Sequence, residues 1–156
     1  MAQTNYTPIQ IYHSTTAAAV PSAANLVAGE LGLNIADMRL FCENSSGTVE
    51  LLAAPGIPIS GATKTTSYSL ATTDVGQTIE VGSGGSITVP DATFAAGDAI
   101  IIFNNTSGSI TMTMTITNAY IAGTDADKAT IDVATRGVAN ILFVTGTTCV
   151  VTGNVS

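Results

Sequence analysis

The pattern of apolar and polar residues predicts β-strands along most of the chain. Residues 109–117, SITMTMTIT, alternate without interruption, which places the isoleucines and methionines on one side of a strand and the threonines on the other. Residues 99–103, AIIIF, form a continuous apolar run before a polar turn, a pattern typical of a strand buried on both faces. A helix would distribute the apolar side chains of residues 109–117 around its axis.

Short strands recur between turn residues throughout the second half of the chain. Turn signals come about every 8 to 12 residues, which is typical of a sandwich or barrel. We therefore expect residues 62–156 to fold as an antiparallel, jelly-roll-like β-sandwich. The predicted strands cover residues 67–70, 78–81, 86–89, 99–103, 109–117, 138–145 and 149–151.

The first part of the chain predicts a smaller sheet. Residues 26–52, LVAGELGLNIADMRLFCENSSGTVELL, contain three short apolar-rich runs separated by turns, so we expect a three-stranded β-meander. Residues 1–25 are predicted to form an extended N-terminal arm, and residues 53–61, with two prolines and two glycines, a linker. An isolated sheet of this size leaves its apolar face without cover, so we expect identical chains to cover it.

Composition limits the partners that the chain can bind. Charged residues make up 10% of the sequence, and four basic against eleven acidic residues give a formal net charge of −7. Nucleic acid and anionic membranes are bound mainly through Lys and Arg, so neither is an expected partner. The sequence shows no apolar run long enough to span a bilayer and no secretory signal, so we expect the chain to fold in a cytoplasm.

Groups suited to catalysis are few, and we expect neither an enzyme nor a cofactor. His13 is the one histidine, and a Cys-His pair would require it to meet Cys42 or Cys149 beside a third, orienting group. Both cysteines have apolar neighbours and are expected to be buried thiols, with a disulfide or reactive pair as the alternative. An enzyme such as a glycan depolymerase would need paired carboxylates from different loops, which a sequence does not reveal.

Some loop residues have the spacing of ligand sites. Asp125 and Asp127 match two carboxylates of a calcium loop but lack the later glycine and glutamate, so we favour a solvated turn over a weak calcium site. Residues 82–85, GSGG, lack the lysine and helix of a phosphate loop and are predicted to form a turn. Tyr120 is the best candidate for stacking against a sugar. Three further aspartates are expected to cap backbone donors: Asp74, Asp91 and Asp98.

Two parts of the sequence resemble bacteriophage proteins. Residues 26–52 have the entry LVAGEL, an asparagine, an aspartate in the turn and the strand RLF, and resemble a module near the start of phage fibre and receptor-binding proteins. The N-terminal domain of the major tropism determinant family is the nearest comparison. The phrases TSYSLATTDVGQTIEV, SITVP and FAAGDAIIIFNNTSGSITMT, in that order, resemble β-sandwiches at phage fibre tips and in capsid-attached proteins.

These resemblances imply a structural protein of the virion that is synthesised in the host cytoplasm and located on the capsid exterior. We expect a homotrimeric decoration or cement protein that binds the major capsid protein and stabilises the shell, because 156 residues with one linker leave no room for a fibre shaft. The alternative is a short fibre, head-fibre or tail-tip protein that binds a host surface glycan or receptor. The expected partner interface consists of apolar residues of the arm and meander: Ile9, Ile11, Tyr12, Leu31, Leu33, Leu40 and Phe41.

Overall fold

The computed structural model describes residues 11–156 and confirms the all-β class. The residues described contain no α-helix; their helical content is two short 3₁₀ turns, Ala23–Asn25 and Thr72–Asp74. The chain divides between Gly56 and Ile57 into two compact units. Each unit has its own sheet system and is described by itself.

The first unit is a four-stranded sheet. In order along the sheet its strands are β1 (Tyr12–Ser14), β2 (Leu31–Asn34), β3 (Arg39–Glu43) and β4 (Val49–Ala53). Strands β2, β3 and β4 form an antiparallel meander that ends one residue beyond the predicted range of 26–52, while β1 pairs with β2 in parallel. Asn44 shapes the second turn of the meander, because its side-chain oxygen accepts hydrogen bonds from the backbone N–H groups of Ser46 and Thr48.

One face of this sheet is covered by the segment that precedes β2. A Cβ added at Gly32 would lie 2.7 Å from Cγ of Pro21, so this segment packs directly on the strand and only glycine fits there. Asn34, at the end of β2, fixes the segment further: its side-chain amide donates to the carbonyl oxygens of Thr16 and Ala19, both at 2.9 Å. The segment before β2 therefore covers one face of the sheet and leaves the opposite face without this cover.

The second unit consists of two facing sheets. The five-stranded sheet has the order β10-β13-β12-β8-β6, and the four-stranded sheet has the order β11-β9-β7-β5. The strands are β5 (Ser67–Ser69), β6 (Thr78–Val81), β7 (Ser86–Val89), β8 (Ala99–Asn104), β9 (Ile110–Met114), β10 (Asn118–Ile121), β11 (Thr130–Val133), β12 (Val138–Thr145) and β13 (Thr148–Gly153).

The inward side chains of the two sheets form one core. Along β9 the buried residues are Ile110, Met112 and Met114, with exposed threonines between them, so the alternation predicted for this strand is confirmed. Across the core, the rings of Phe94 and Phe143 stack with their centroids 4.0 Å apart.

The expected antiparallel, jelly-roll-like sandwich is wrong in its strand directions. Successive strands from β5 to β9 alternate between the two sheets, so each strand lies parallel to its neighbour within a sheet, as in a β-solenoid. Antiparallel pairing enters with β11 and with the β12–β13 hairpin, which makes both sheets mixed. The reason for the error is physical: alternation of apolar residues reports which face a strand buries, and carries no information about its direction.

The expected linker, residues 53–61, spans the division between the units. Ala53 ends β4, whereas Pro58 already belongs to the second unit, since its carbonyl oxygen accepts a hydrogen bond from the backbone N–H of Thr78 at 2.8 Å. The backbone N–H of Lys64 donates to the carbonyl oxygen of Glu80, also at 2.8 Å. Residues 58–64 thus run along the outer edge of β6.

Candidate interaction surfaces

The face of the meander sheet opposite Pro21 carries several of the expected interface residues. Leu31 lies opposite Cys42 and Leu33 opposite Leu40, so these four side chains share one face of the sheet. All four are partly exposed, and we call them the meander face; His13, in register with Leu33, and Glu50, in register with Cys42, lie on the same side of the sheet. Ile11, the residue before β1, is also exposed, and Ile9 lies outside the described residues.

Two expected interface residues lie on the other side of the sheet. Phe41 is 4% exposed and lies opposite Gly32, so it packs in the unit's own core and is not available to a partner. Its assignment to the interface is corrected for this reason. Tyr12 is in register with Gly32 and shares that side, where it is 46% exposed and its hydroxyl accepts a hydrogen bond from the amide of Asn25.

The outer face of the five-stranded sheet is unexpectedly apolar. Tyr120 is in register with Val150, Val150 with Leu142, and Leu142 with Ala99, so an apolar row crosses four strands. A second apolar pair, Val138 and Phe103, lies beyond a row in which the exposed Asn140 stands between Thr152 and Ile101. We call the following eight residues the apolar sheet face: Ala99, Ile101, Phe103, Tyr120, Val138, Leu142, Val144 and Val150.

The outer face of the four-stranded sheet has the opposite character. Thr88 is in register with Ser69 and Thr113, and Thr113 with Thr130, so a row of hydroxyl groups crosses the sheet. Asp132 is the carboxylate of this face among the described residues, and it accepts a hydrogen bond from the hydroxyl of Thr111 at 2.6 Å. The unit thus buries its two inner faces, and its two outer faces differ sharply in polarity.

The sequence contained a signal for the apolar sheet face that its interpretation missed. The continuous run AIIIF predicted burial on both sides of β8, and the single chain buries one side fully and the other only partly. Strand β12 is similar, since VANILFV is apolar at six of seven positions. A strand of this kind predicts a second covering layer, and that layer can be another molecule.

The three aspartates expected to cap loops do so. The carboxylate of Asp74 accepts a backbone hydrogen bond at 2.8 Å and one from the hydroxyl of Tyr68 at 3.0 Å. Burial, and then the bond to Asp74, raise the pKa of Tyr68. Asp91 accepts two hydrogen bonds from Thr117, which lower the pKa of Asp91. Asp98 accepts one from a backbone N–H in its own turn at 2.9 Å. These carboxylates hold loop geometry.

The described hydrogen bonds of His13 and Cys42 are to backbone carbonyl oxygens near them in the chain. Both cysteines are free; Cys149 is buried, as expected, whereas Cys42 is partly exposed on the meander face. Burial, with a further contribution from Asp127, raises the pKa of Cys149 to about 11, so this thiol is neutral at physiological pH. His13 is exposed, and its Nδ1 lies 3.1 Å from the carbonyl oxygen of Ile11. Within residues 11–156, no cluster of His, Cys, Asp or Glu could hold a metal ion.

The remaining loop candidates have structural explanations. Asp127 accepts a hydrogen bond from the backbone N–H of Ala119 at 2.7 Å and so holds its loop against β10. Gly85, in the turn that was compared with a phosphate loop, lies so close to Lys64 that an added Cβ would overlap the Lys64 carbonyl oxygen. Tyr120, the candidate for stacking against a sugar, lies in β10 and is half-buried on the apolar sheet face.

Comparisons with known proteins indicate no function for this chain, so a function has to be inferred from its residues and their arrangement. No protein-family model matches the chain, and a search of curated proteins gave no match. In the part of the chain that the structure describes, no helix is long and apolar enough to cross a membrane.

Proposed function

We propose that this chain is a structural protein of a bacteriophage virion, a capsid decoration or cement protein that binds the outer shell as a homotrimer. One observation carries the proposal: each of the two units has a sheet face whose apolar side chains are left partly exposed by the described residues of that unit. A chain with two such faces is suited to hold copies of itself together and to attach them to a second protein.

The loops of the second unit provide little support for an enzyme. The carboxylates that could serve as acid or base are engaged as caps in turns, as at Asp74, Asp91 and Asp98. The apolar surface lies on sheets, where side chains are held rigidly and at fixed spacing. A rigid face with few charges suits the contact surface of an assembly better than it suits a reaction centre.

The meander face is the part of the chain that we assign to the shell. It presents four side chains, Leu31, Leu33, Leu40 and Cys42, and a contact of this size is weak for one copy. A trimer presents three such faces at once, so the second and third contacts form within one complex and strengthen binding without any new kind of contact. The partner on the shell is the major capsid protein.

One observation favours the alternative, a short fibre or tail-tip protein that binds a host glycan. A shallow polar groove in the second unit is lined by serine, threonine and glycine residues within 83–86 and 106–111. Hydroxyl and backbone groups of this kind can bond to sugar hydroxyls. The groove contains none of the aromatic rings that stack on a sugar face, so it supports this function less strongly.

Binding to shells tests the proposal. Purified phage shells that lack this protein, and host cells in parallel, are mixed with the wild-type chain and with two variants. Leu31→Lys places a charge on the meander face, and Ile35→Lys places the same charge on an exposed residue of the turn after β2. We expect the wild type and Ile35→Lys to bind shells and Leu31→Lys to bind at least tenfold more weakly. Binding to cells but not to shells would favour the alternative.

A further inference from the structure

The most exposed part of the apolar sheet face lies on its central strand. β12 is the third of five strands in this sheet, and its outward side chains are Asn140 and three aliphatic residues, Val138, Leu142 and Val144, which are 43%, 45% and 48% exposed. Aliphatic side chains in the middle of a sheet face are usually covered by a second layer. The exposed region therefore has the position and the chemistry of a contact surface.

The two edges of the same sheet are closed by the chain itself. Outside β6, the carbonyl oxygen of Pro58 accepts a hydrogen bond from the backbone N–H of Thr78. Outside β10, the backbone N–H of Lys128 donates to the carbonyl oxygen of Ala119 at 2.8 Å. Covered edges do not readily pair with a strand of another molecule, so association through this sheet has to use its face.

The distribution of charged side chains indicates which molecule can pack against the apolar sheet face. The chain carries a net charge of −7, so two copies repel each other wherever their carboxylates come close. On the outer face of the five-stranded sheet, Glu80 is the one carboxylate among the described residues. It lies on β6, at the edge of the sheet, and accepts a hydrogen bond from the side-chain amide of Asn105. Identical copies can therefore pack the centres of these faces together without bringing carboxylates into contact.

The size of the face is sufficient for such a contact. Five strands spaced about 4.8 Å apart, with five to six residues each at about 3.3 Å, give a face of roughly 440 Å². Three copies that turn this face toward a common axis then bury about 1,300 Å² in total, so the trimer as a whole, and not any single pair, reaches the size of a specific protein interface.

We infer that the apolar sheet face is the surface through which copies of this chain contact one another, with β12 nearest the symmetry axis. The inference rests on the trimer of the proposed function and adds which surface forms it. The hydroxyl-rich outer face of the four-stranded sheet then points away from the axis, and the meander face is not part of this contact.

Association of the full-length chain tests this assignment. The wild type and three variants are compared by sedimentation equilibrium over a concentration series, with circular dichroism and thermal unfolding to verify the fold. Leu142→Lys and Val144→Lys place an ammonium group near the expected axis, at positions exposed in the single chain. Thr113→Lys places the same charge on the hydroxyl-rich face. We expect the concentration for half-dissociation to rise at least 100-fold in the first two variants and less than threefold in Thr113→Lys.

The contrary outcomes can be told apart. Trimers that persist in both Leu142→Lys and Val144→Lys would overturn the assignment of the face and leave the trimer in place. Equal dissociation by Thr113→Lys would also overturn it, since the effect would then not depend on position. A wild-type chain that is monomeric at 100-fold the concentration used for shell binding would contradict the proposed trimer itself.

Discussion

Removal of most of one side chain at the centre of the apolar sheet face should weaken the trimer by a calculable amount. Leu142 is 45% exposed in the single chain, and this exposed part is what association can bury. Full burial of a leucine side chain is worth about 2 kcal/mol, so the exposed part contributes about 1 kcal/mol per copy. The part already buried in the single chain affects both states equally and cancels.

Leu142→Ala therefore costs about 3 kcal/mol per trimer, a factor of roughly 150 in the association constant. Because the half-dissociation concentration of a trimer varies as the inverse square root of this constant, it should rise roughly tenfold. Sedimentation equilibrium measures the shift, and Thr113→Ala on the opposite outer face is the matched control. A shift of less than twofold for Leu142→Ala, or an equal shift for Thr113→Ala, would refute the reasoning.

Three further predictions concern the fold and the shell contact. In Gly85→Ala the new Cβ would lie 2.7 Å from Val81, so the free energy of unfolding should fall by about 3 kcal/mol. In the control Gly108→Ala the new Cβ lies in open space, so the free energy of unfolding should change little. Urea unfolding measures both values. In the folded state the pKa of Cys149 is raised to about 11. The neutral thiol therefore contributes stability that is complete below the pKa of the unfolded thiol and is lost as the pH rises towards 11. Cys149→Ala lacks this titration, so its urea midpoint should fall less between about pH 8 and 10.5 than that of the wild type. Alkylation of Cys42 should slow at least tenfold when the protein is bound to shells, and an unchanged rate would place the shell contact elsewhere.

Local patterns in the sequence predicted the faces of strands well. The alternation in residues 109–117 places Met112 in the core and Thr113 outside, because successive side chains of a strand must point to opposite sides. The turn at Asn44 follows from an asparagine side chain that bonds to nearby backbone. These features depend on residues close together in the chain, so they can be inferred without knowledge of the fold.

Features that depend on neighbours across a sheet were not predictable. The parallel pairing of β5 with β7 and of β6 with β8 depends on each crossing between sheets, to which the period of two residues is insensitive. The interface residues were sought in the arm and meander, and Phe41 was included because an apolar residue in a short strand does not reveal its side. The apolar sheet face required the register of four strands before Tyr120, Leu142 and Val150 could be placed together.

The location of the protein on the virion tests the central claim most directly. A cryo-electron microscopy map of particles that contain this chain should show threefold-symmetric density at many sites over the whole head. Each site should fit three chains of 15.7 kDa. The five-stranded sheets should surround each threefold axis, and the meanders should contact the shell. Density confined to the tail, or single copies on the head, would contradict the account.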